Sequence, residues 1–315
     1  MGFISSKLLI SDNDWFRSSL PVSAEWKALE YSNGIFVALA SYGPYATPVP
    51  QRAAYSYNGT KWFAGTINQA TGWRSIAYGN GRFVAVGETF GLGGAFAYSD
   101  DGITWNGGTP AHKTCYSVTY GNGRFVAVGY VNNHDLNING IVYSDNGANW
   151  TAVNTQKQRW QSVAFGNGRF VAASVEDAAT GPGVLAYSNN GITWTILSAP
   201  TSASGWSSVA YGDGKFIAVK RYTSDMAYSY DGITWTSFSP SPSSPADAYK
   251  IKYDGMKFVG LLNGGNMNIS NRLPYSYNGL DWGYLGIPQG RWTDTTSNGE
   301  KLICIQASSS LILSK

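Results

Sequence analysis

Short apolar runs recur along this chain, among them Phe83-Val84-Ala85-Val86, Phe125-Val126-Ala127-Val128 and Phe216-Ile217-Ala218-Val219. They are apolar at consecutive positions rather than at every second one, which suits strands covered on both faces. Each is preceded by Asn-Gly or Asp-Gly, the dipeptides that accept the positive φ values of a type I′ hairpin turn. The pattern therefore predicts strand hairpins throughout.

The hairpins repeat. Trp73-Arg-Ser-Ile-Ala-Tyr-Gly-Asn-Gly-Arg-Phe-Val-Ala-Val returns from Tyr116, Trp160 and Trp206, and more weakly from Trp26, Tyr249 and Trp292. These aromatics are spaced 47, 43, 44, 46, 43 and 43 residues apart, the period of a propeller blade. Each repeat holds one turn signal at Asn33, Asn80, Asn122, Asn167, Asp213, Asp254 or Asn298, each followed by Gly. A second follows a Tyr-Ser pair or its equivalent at Asn58, Asp101, Asn146, Asn190, Asp231 and Asn278, again before Gly. Two hairpins give four strands, a to d. The Trp closing each repeat (Trp62, Trp105, Trp150, Trp194, Trp235, Trp282) is expected to pack between blades.

The expectation is an all-β, seven-bladed β-propeller of four-stranded antiparallel blades forming a single domain. Its blades cover about 26–66, 73–110, 116–153, 160–197, 206–238 and 249–285, with 292–315 and 1–20 sharing the last. Such sharing removes an exposed sheet edge. Both Leu311–Lys315 and the segment from Lys7 to Trp15 resemble strand c, so the source of that strand stays open.

Composition narrows the function. A net charge of +3 on 22 basic and 19 acidic residues predicts neither a nucleic-acid partner nor membrane insertion. No stretch reaches the 18 or so apolar residues of a membrane-spanning helix. Met1–Lys7 lacks the layout of a secretory signal. Cys115 and Cys304, two in all, read as buried free thiols rather than a disulfide framework.

The second hairpin, Tyr98-Ser-Asp-Asp-Gly-Ile-Thr-Trp105 and its copies, resembles the Asp-box of sialidase and BNR-repeat propellers, with one residue fewer between Ser and Trp. The combined unit is similar to repeats of bacteriophage tail and tail-fibre proteins. That resemblance implies a non-enzymatic component of a virion, binding a host-surface glycan or another virion protein. The alternatives are a sialidase-like glycoside hydrolase and a bacterial carbohydrate-binding lectin at the cell surface. A homo-oligomer is compatible with each.

In such a ring the a–b and c–d turns share one rim, while the b–c and d–a loops share the other. The turns repeat and the loops vary, which places recognition on the loops. Tyr42, Tyr45, Phe90, Tyr130 and Tyr222 are the candidate stacking residues, and Asn132, Asn133, Asp135 and Asn266 the candidate hydrogen-bonding ones. The second residue of strand a (Lys27, Arg74, Ser117, Gln161, Ser207, Lys250, Thr293) is expected to line the channel.

No catalytic set emerges. Arg82, Arg124 and Arg169 occupy one repeat position and read as structural, leaving Arg17, Arg52, Arg74, Arg159, Arg221, Arg272 and Arg291 outside the repeat. Glutamates are few, and no spacing suggests paired carboxylates. Asp135-Leu-Asn137-Ile-Asn139-Gly140 resembles half a calcium loop but lacks the closing Glu. No metal or cofactor is expected.

Overall fold

A computed structural model describes residues 15–41, 52–67, 71–89, 94–109, 114–130, 140–155, 158–175, 181–197, 205–220, 223–240, 248–262, 270–307 and 311–314. Among them there are strands, turns and isolated bridges, and no helix.

β1 (Phe16–Ser19) precedes the first full repeat, β2 to β5 (Glu25–Ser32, Ile35–Ser41, Ala53–Ser56, Phe63–Ile67). Repeat 2 supplies β6 to β9 (Gly72–Gly79, Arg82–Glu88, Gly94–Ser99, Thr104–Gly107), and repeat 3 supplies β10 to β13 (Cys115–Gly121, Arg124–Gly129, Ile141–Ser144, Thr151–Ala152). Repeat 4 holds β14 to β17 (Arg159–Gly166, Arg169–Val175, Leu185–Ser188, Thr195–Ile196). Repeat 5 holds β18 to β21 (Trp206–Gly212, Lys215–Lys220, Met226–Ser229, Thr236–Phe238). Repeat 6 holds β22 to β25 (Ala248–Tyr253, Phe258–Leu262, Ser270–Ser276, Gly283–Gly290), and repeat 7 ends the chain with β26 to β28 (Trp292–Ser297, Leu302–Gln306, Leu311–Ser314).

Within every repeat neighbouring strands pair antiparallel. Five sheets have four strands, and one of eight joins repeats 1 and 2 through parallel pairing of β5 with β9. Repeat 7 takes its fourth strand from the other end of the chain, because β28 pairs with β1, Phe16 opposite Ser314. The C-terminal segment thus supplies strand c, and residues 16–19 supply strand d. Lys7–Asp14 lie outside the described residues.

Burial peaks in the second strand of each repeat, above that of the innermost strand, and falls again outward. β3 is buried at every position, whereas the outermost β13 is exposed. The apolar clusters form between repeats. Phe170, Val163 and Ala172 of repeat 4 pack on Val126, Val128 and Ile141 of repeat 3, and Phe36, Ala38 and Trp62 of repeat 1 pack on Ile303 and Ile305 of repeat 7. The closing tryptophans belong to these clusters, with Trp62, Trp105, Trp150 and Trp282 buried and Trp194 and Trp235 partly so.

The two kinds of turn differ. In five a–b turns the Asn or Asp and the Gly both have positive φ, as a type I′ turn requires, for instance Asn167 at 47° and Gly168 at 72°. In the c–d turns only the glycine does, so these are not type I′ hairpins as the dipeptides alone suggest. Side chains take over the turn instead. The Ser99 hydroxyl donates to Asp101 Oδ1 and accepts from the Gly102 N–H, while Asp101 Oδ1 accepts from Ile103 and Thr104 N–H. The same network recurs around Ser56, Ser144, Ser188, Ser229 and Ser276.

Partial burial alone would raise the Asp101 and Asp231 carboxyls, but these N–H and hydroxyl donors outweigh it and hold both below the usual carboxylate range. A depressed carboxyl contributes stability that is present above its unfolded value, near pH 4, and lost as pH falls through the folded value. Asn fills the same position in the other four repeats. Asp101→Asn with Asp231→Asn is therefore expected to flatten the acid limb of a stability profile followed by urea unfolding between about pH 2 and 7.

Arg82, Arg124 and Arg169 latch one repeat to the next. Each hydrogen-bonds an Asp or Asn of its own c–d turn and donates to a backbone carbonyl of the following one, as Arg82 does to Asp100 and to the Asn146 carbonyl. Lys215 reaches the Asn278 carbonyl in the same manner, and Lys301 reaches that of Asn58 in repeat 1.

Candidate functional site

The inner strands β2, β6, β10, β14, β18, β22 and β26 enclose a cavity of about 490 Å³ lined by residues of all seven repeats. That is the size of a small-ligand site. Each inner strand carries a register shift at the same place, between Trp26 and Ala28, Trp73 and Ser75, Cys115 and Ser117, Trp160 and Ser162, Trp206 and Ser208, Ala248 and Lys250, and Trp292 and Asp294. A bulge re-aims the residue it leaves unpaired. The residues so placed are Lys27, Arg74, Tyr116, Gln161, Ser207, Tyr249 and Thr293.

That set corrects the sequence alignment in two repeats. Cys115 and Ala248, buried at the bottom of β10 and β22, stand where other repeats have Trp, so Tyr116 and Tyr249 are the bulged residues and not Ser117 and Lys250. Counting back from the conserved aromatic before the a–b turn, rather than from the first aromatic, would have found this. Both thiols are pushed up by burial, Cys304 to about 12.

The next residue along ties the wall together. Ser75, Ser117, Ser162 and Ser208 each accept a hydrogen bond from the following repeat, from Val118, Val163, Val209 and Ile251 N–H at 3.1–3.2 Å. Between repeats 7 and 1 Asp294 takes that role. Its Oδ2 accepts from Leu29 N–H at 2.8 Å, and its Oδ1 lies 3.0 Å from Lys250 Nζ and 3.5 Å from Lys252 Nζ. Lys252 also donates to the Leu29 carbonyl and lies 3.9 Å from Glu30.

Charge in the cavity leans positive: Lys27, Arg74, Lys250 and Lys252 face Glu30 and Asp294. Burial is the largest influence on Glu30, Lys27 and Lys250. It pushes the Glu30 carboxyl up, and it pushes Lys27 and Lys250 down, in Lys27 with added repulsion from Arg291 and Arg74. Each shift reports a cost of holding charge there that an anion would relieve on the cationic side.

At the strand-a starts the bulged residues meet the end of strand b. Tyr116 stacks on Tyr130, centroids 5.0 Å apart and planes 10° from parallel. Arg159 lies 4.3 Å from the Tyr130 centroid and donates to its hydroxyl at 2.6 Å. Arg74 lies 4.8 Å from the Tyr116 centroid and pairs with Glu88. Two of the arginines outside the repeat therefore converge on one aromatic pair. Arg52 is instead buried, donating to the Thr71 carbonyl, and Arg272 lies on Tyr284.

Of the sequence candidates, Tyr130 alone falls among the described residues. Its ring is stacked with Tyr116 and carries the Arg159 guanidinium. Tyr42, Tyr45, Phe90, Asn132, Asn133, Asp135, Tyr222 and Asn266 lie outside the described residues, as does most of the calcium-like string. No group of three or more His, Cys, Asp or Glu able to hold a metal occurs among the described residues.

No protein-family model and no curated protein sequence matches the chain. Solved structures do. Virginiamycin B lyase from Staphylococcus aureus superposes with a TM-score of 0.74 at 11% identity, over 95% of this chain and 98% of that one. YCF48 from Cyanidioschyzon merolae gives 0.64 at 12%, over 95% and 98%. The Pan2 WD40 domain of Neurospora crassa gives 0.67 at 9%, over 97% and 96%. The chain folds as a β-propeller. One of these propellers is an enzyme, but at such identities the likeness carries the fold alone.

Proposed function

We propose that this chain is a closed, seven-bladed propeller of the Asp-box type that serves as a non-enzymatic binding module of a phage tail or fibre. Closure is supported by the β1–β28 pairing, by the apolar cluster shared between repeats 7 and 1, and by the reach of Lys301 to the Asn58 carbonyl. The ligand is a host-surface glycan bearing carboxylate groups. The observation that carries this reading is the convergence of Arg74 and Arg159 on the Tyr116–Tyr130 stack, above a cavity whose charge leans positive. Arg74, held on Tyr116 and paired with Glu88, and Arg159, held on Tyr130 and its hydroxyl, fix two planar guanidinium groups beside one aromatic pair, the geometry that suits a planar carboxylate in exchange for Glu88.

The test is retention on immobilised sialylated and uronic-acid-bearing oligosaccharides. The chain is expected to bind without cleaving them. Arg74→Ala and Arg159→Ala are each expected to weaken binding about tenfold or more, the worth of one charged hydrogen bond. Absence of binding to every acidic glycan sinks the proposal.

A sialidase-like hydrolase is the second reading, favoured by the same convergence of two arginines beside a tyrosine. Against it, Asp294 is engaged by Leu29, Lys250 and Lys252, and Glu30 lies beside Lys252, which leaves no acid–nucleophile pair among the described residues of the cavity. Turnover of a fluorogenic sialoside decides for the enzyme.

A further inference from the structure

The rim of repeated turns is not uniform. The residue between Ser and Asn or Asp of the c–d turn is Asp100, Asp145 or Asn189 in repeats 2 to 4, where it accepts from Arg82, Arg124 or Arg169. In repeats 1, 5 and 6 the arginine is replaced by Ile35, Lys215 and Lys257, and the turn residue is Tyr57, Tyr230 or Tyr277. Repeats 5, 6 and 1 are consecutive around the ring apart from repeat 7, whose strands c and d come from opposite chain ends and have no turn between them. The rim thus divides into an ionic arc and a tyrosine arc.

The three rings are 64%, 58% and 57% exposed, although the turn needs nothing from them, since Ser and Asn or Asp satisfy its N–H groups. All three are held in one pose. Tyr57 meets Tyr55 edge-on at 5.8 Å and 78°, Tyr230 meets Tyr228 at 5.7 Å and 79°, and Tyr277 meets Tyr275 at 5.8 Å and 84°. A ring fixed by a neighbour loses little entropy on binding.

We infer that these tyrosines are three equivalent subsites for the neutral pyranose units of a repeating polysaccharide. A pyranose presents a face of C–H groups about the size of one phenol ring, with hydroxyls around its edge for the exposed turn groups and the tyrosine hydroxyl. The three rings stand on separate c–d turns, one per repeat, and Phe63 also packs on Tyr55 beside Tyr57. The arc's lysines are spoken for: Lys215 pairs with Asp213, Lys257 pairs with Asp254, and Lys301 donates to the Asn58 carbonyl. Lys215 also lies 6.0 Å from the Tyr230 centroid, and the exposed Lys61 of the Tyr57 turn lies 5.2 Å from that of Phe63. Three subsites of like local geometry match a polymer of like units, whose avidity exceeds that of any one subsite.

This surface lies on the rim opposite the strand-a starts and does not rest on the acidic-glycan reading. Affinity electrophoresis through gels containing dextran, glucomannan or galactomannan tests it. The wild-type chain is expected to be retarded in at least one gel. The triple variant Tyr57→Ser, Tyr230→Ser, Tyr277→Ser, which keeps the turn network, is expected to lose about a hundredfold in apparent affinity with its unfolding midpoint unchanged. Arg74→Ala is expected to migrate like the wild type, which separates this surface from the channel mouth. Migration of the wild type as in a blank gel in all three, or equal retardation of the triple variant, overturns the inference.

Discussion

Asp294→Ala is expected to destabilise the fold by about 3–5 kcal/mol, the cost of removing one partner from a buried charge cluster. Asp294 is 2% exposed, and three things depend on it. Leu29 N–H loses its acceptor, and Lys250 and Lys252 lose the carboxylate that balances them. Burial already pushes Lys250 down, so its charge is the more costly to leave unbalanced. Asp294→Asn separates the contributions, since an amide oxygen still accepts from Leu29 but carries no charge, and its loss is expected to be smaller. Urea unfolding of the two variants measures both. Equal stability of wild type and Asp294→Ala is the outcome that refutes this role of Asp294.

The second large effect comes from a glycine. Gly166 ends the inner strand of repeat 4 against the Tyr211 ring of repeat 5, and a Cβ there would sit 1.9 Å from that ring. The ring cannot simply retreat, because it packs on Phe216 with centroids 4.7 Å apart. Gly166→Ala is expected to cost roughly 3 kcal/mol through overpacking. Gly168, two residues on, has open space around its α-carbon but a φ of 72°. Gly168→Ala carries only the left-handed backbone cost of about 1–2 kcal/mol. Adding Tyr211→Ala to Gly166→Ala recovers part of the loss and leaves Gly168→Ala unaffected, a coupling that unfolding of the double variants reads directly.

Which parts of the molecule could be read in advance follows from how far apart the interacting residues lie. Turns and strand runs are local. Asn167-Gly168 and the Phe-Val-Ala run after it announce a hairpin, and their recurrence announces the repeat. Even so, the c–d turns were misassigned to type I′, because the dipeptide does not reveal that Ser99 and Asp101 side chains satisfy the turn and leave only Gly102 at positive φ. The start of strand a was misaligned in repeats 3 and 6 for a different reason. The slot that other repeats fill with Trp holds Cys115 and Ala248, and the nearest aromatic drew the register one residue too far. With it went the identity of two bulged residues, one of which, Tyr116, stands at the centre of the arginine cluster.

The contact of Asp294 with Leu29 had no sequence signal, since the two are 265 residues apart and meet only where repeat 7 packs on repeat 1. The same holds for Arg74 and Arg159. Both are arginines outside the repeat, and nothing in their spacing brings them to one pair of rings. The tyrosine arc escaped for the opposite reason. Its residues are in plain view, but they sit inside a motif whose repetition made the whole rim look purely architectural.

The pairing of Phe16 with Ser314 has a geometric corollary. Both strands reach that point at the hairpin-turn side of the sheet, where other repeats turn from strand c to strand d. Whatever is tethered before residue 16 or after residue 314 therefore starts from the same spot. A protein mounted on a bead or a larger assembly through either strand would hold the arginine cluster outward and shade the tyrosines beneath it. A variant joined across this point and opened at another c–d turn would reverse neither face but would move the tether by a blade, a simple way to orient the molecule on a surface.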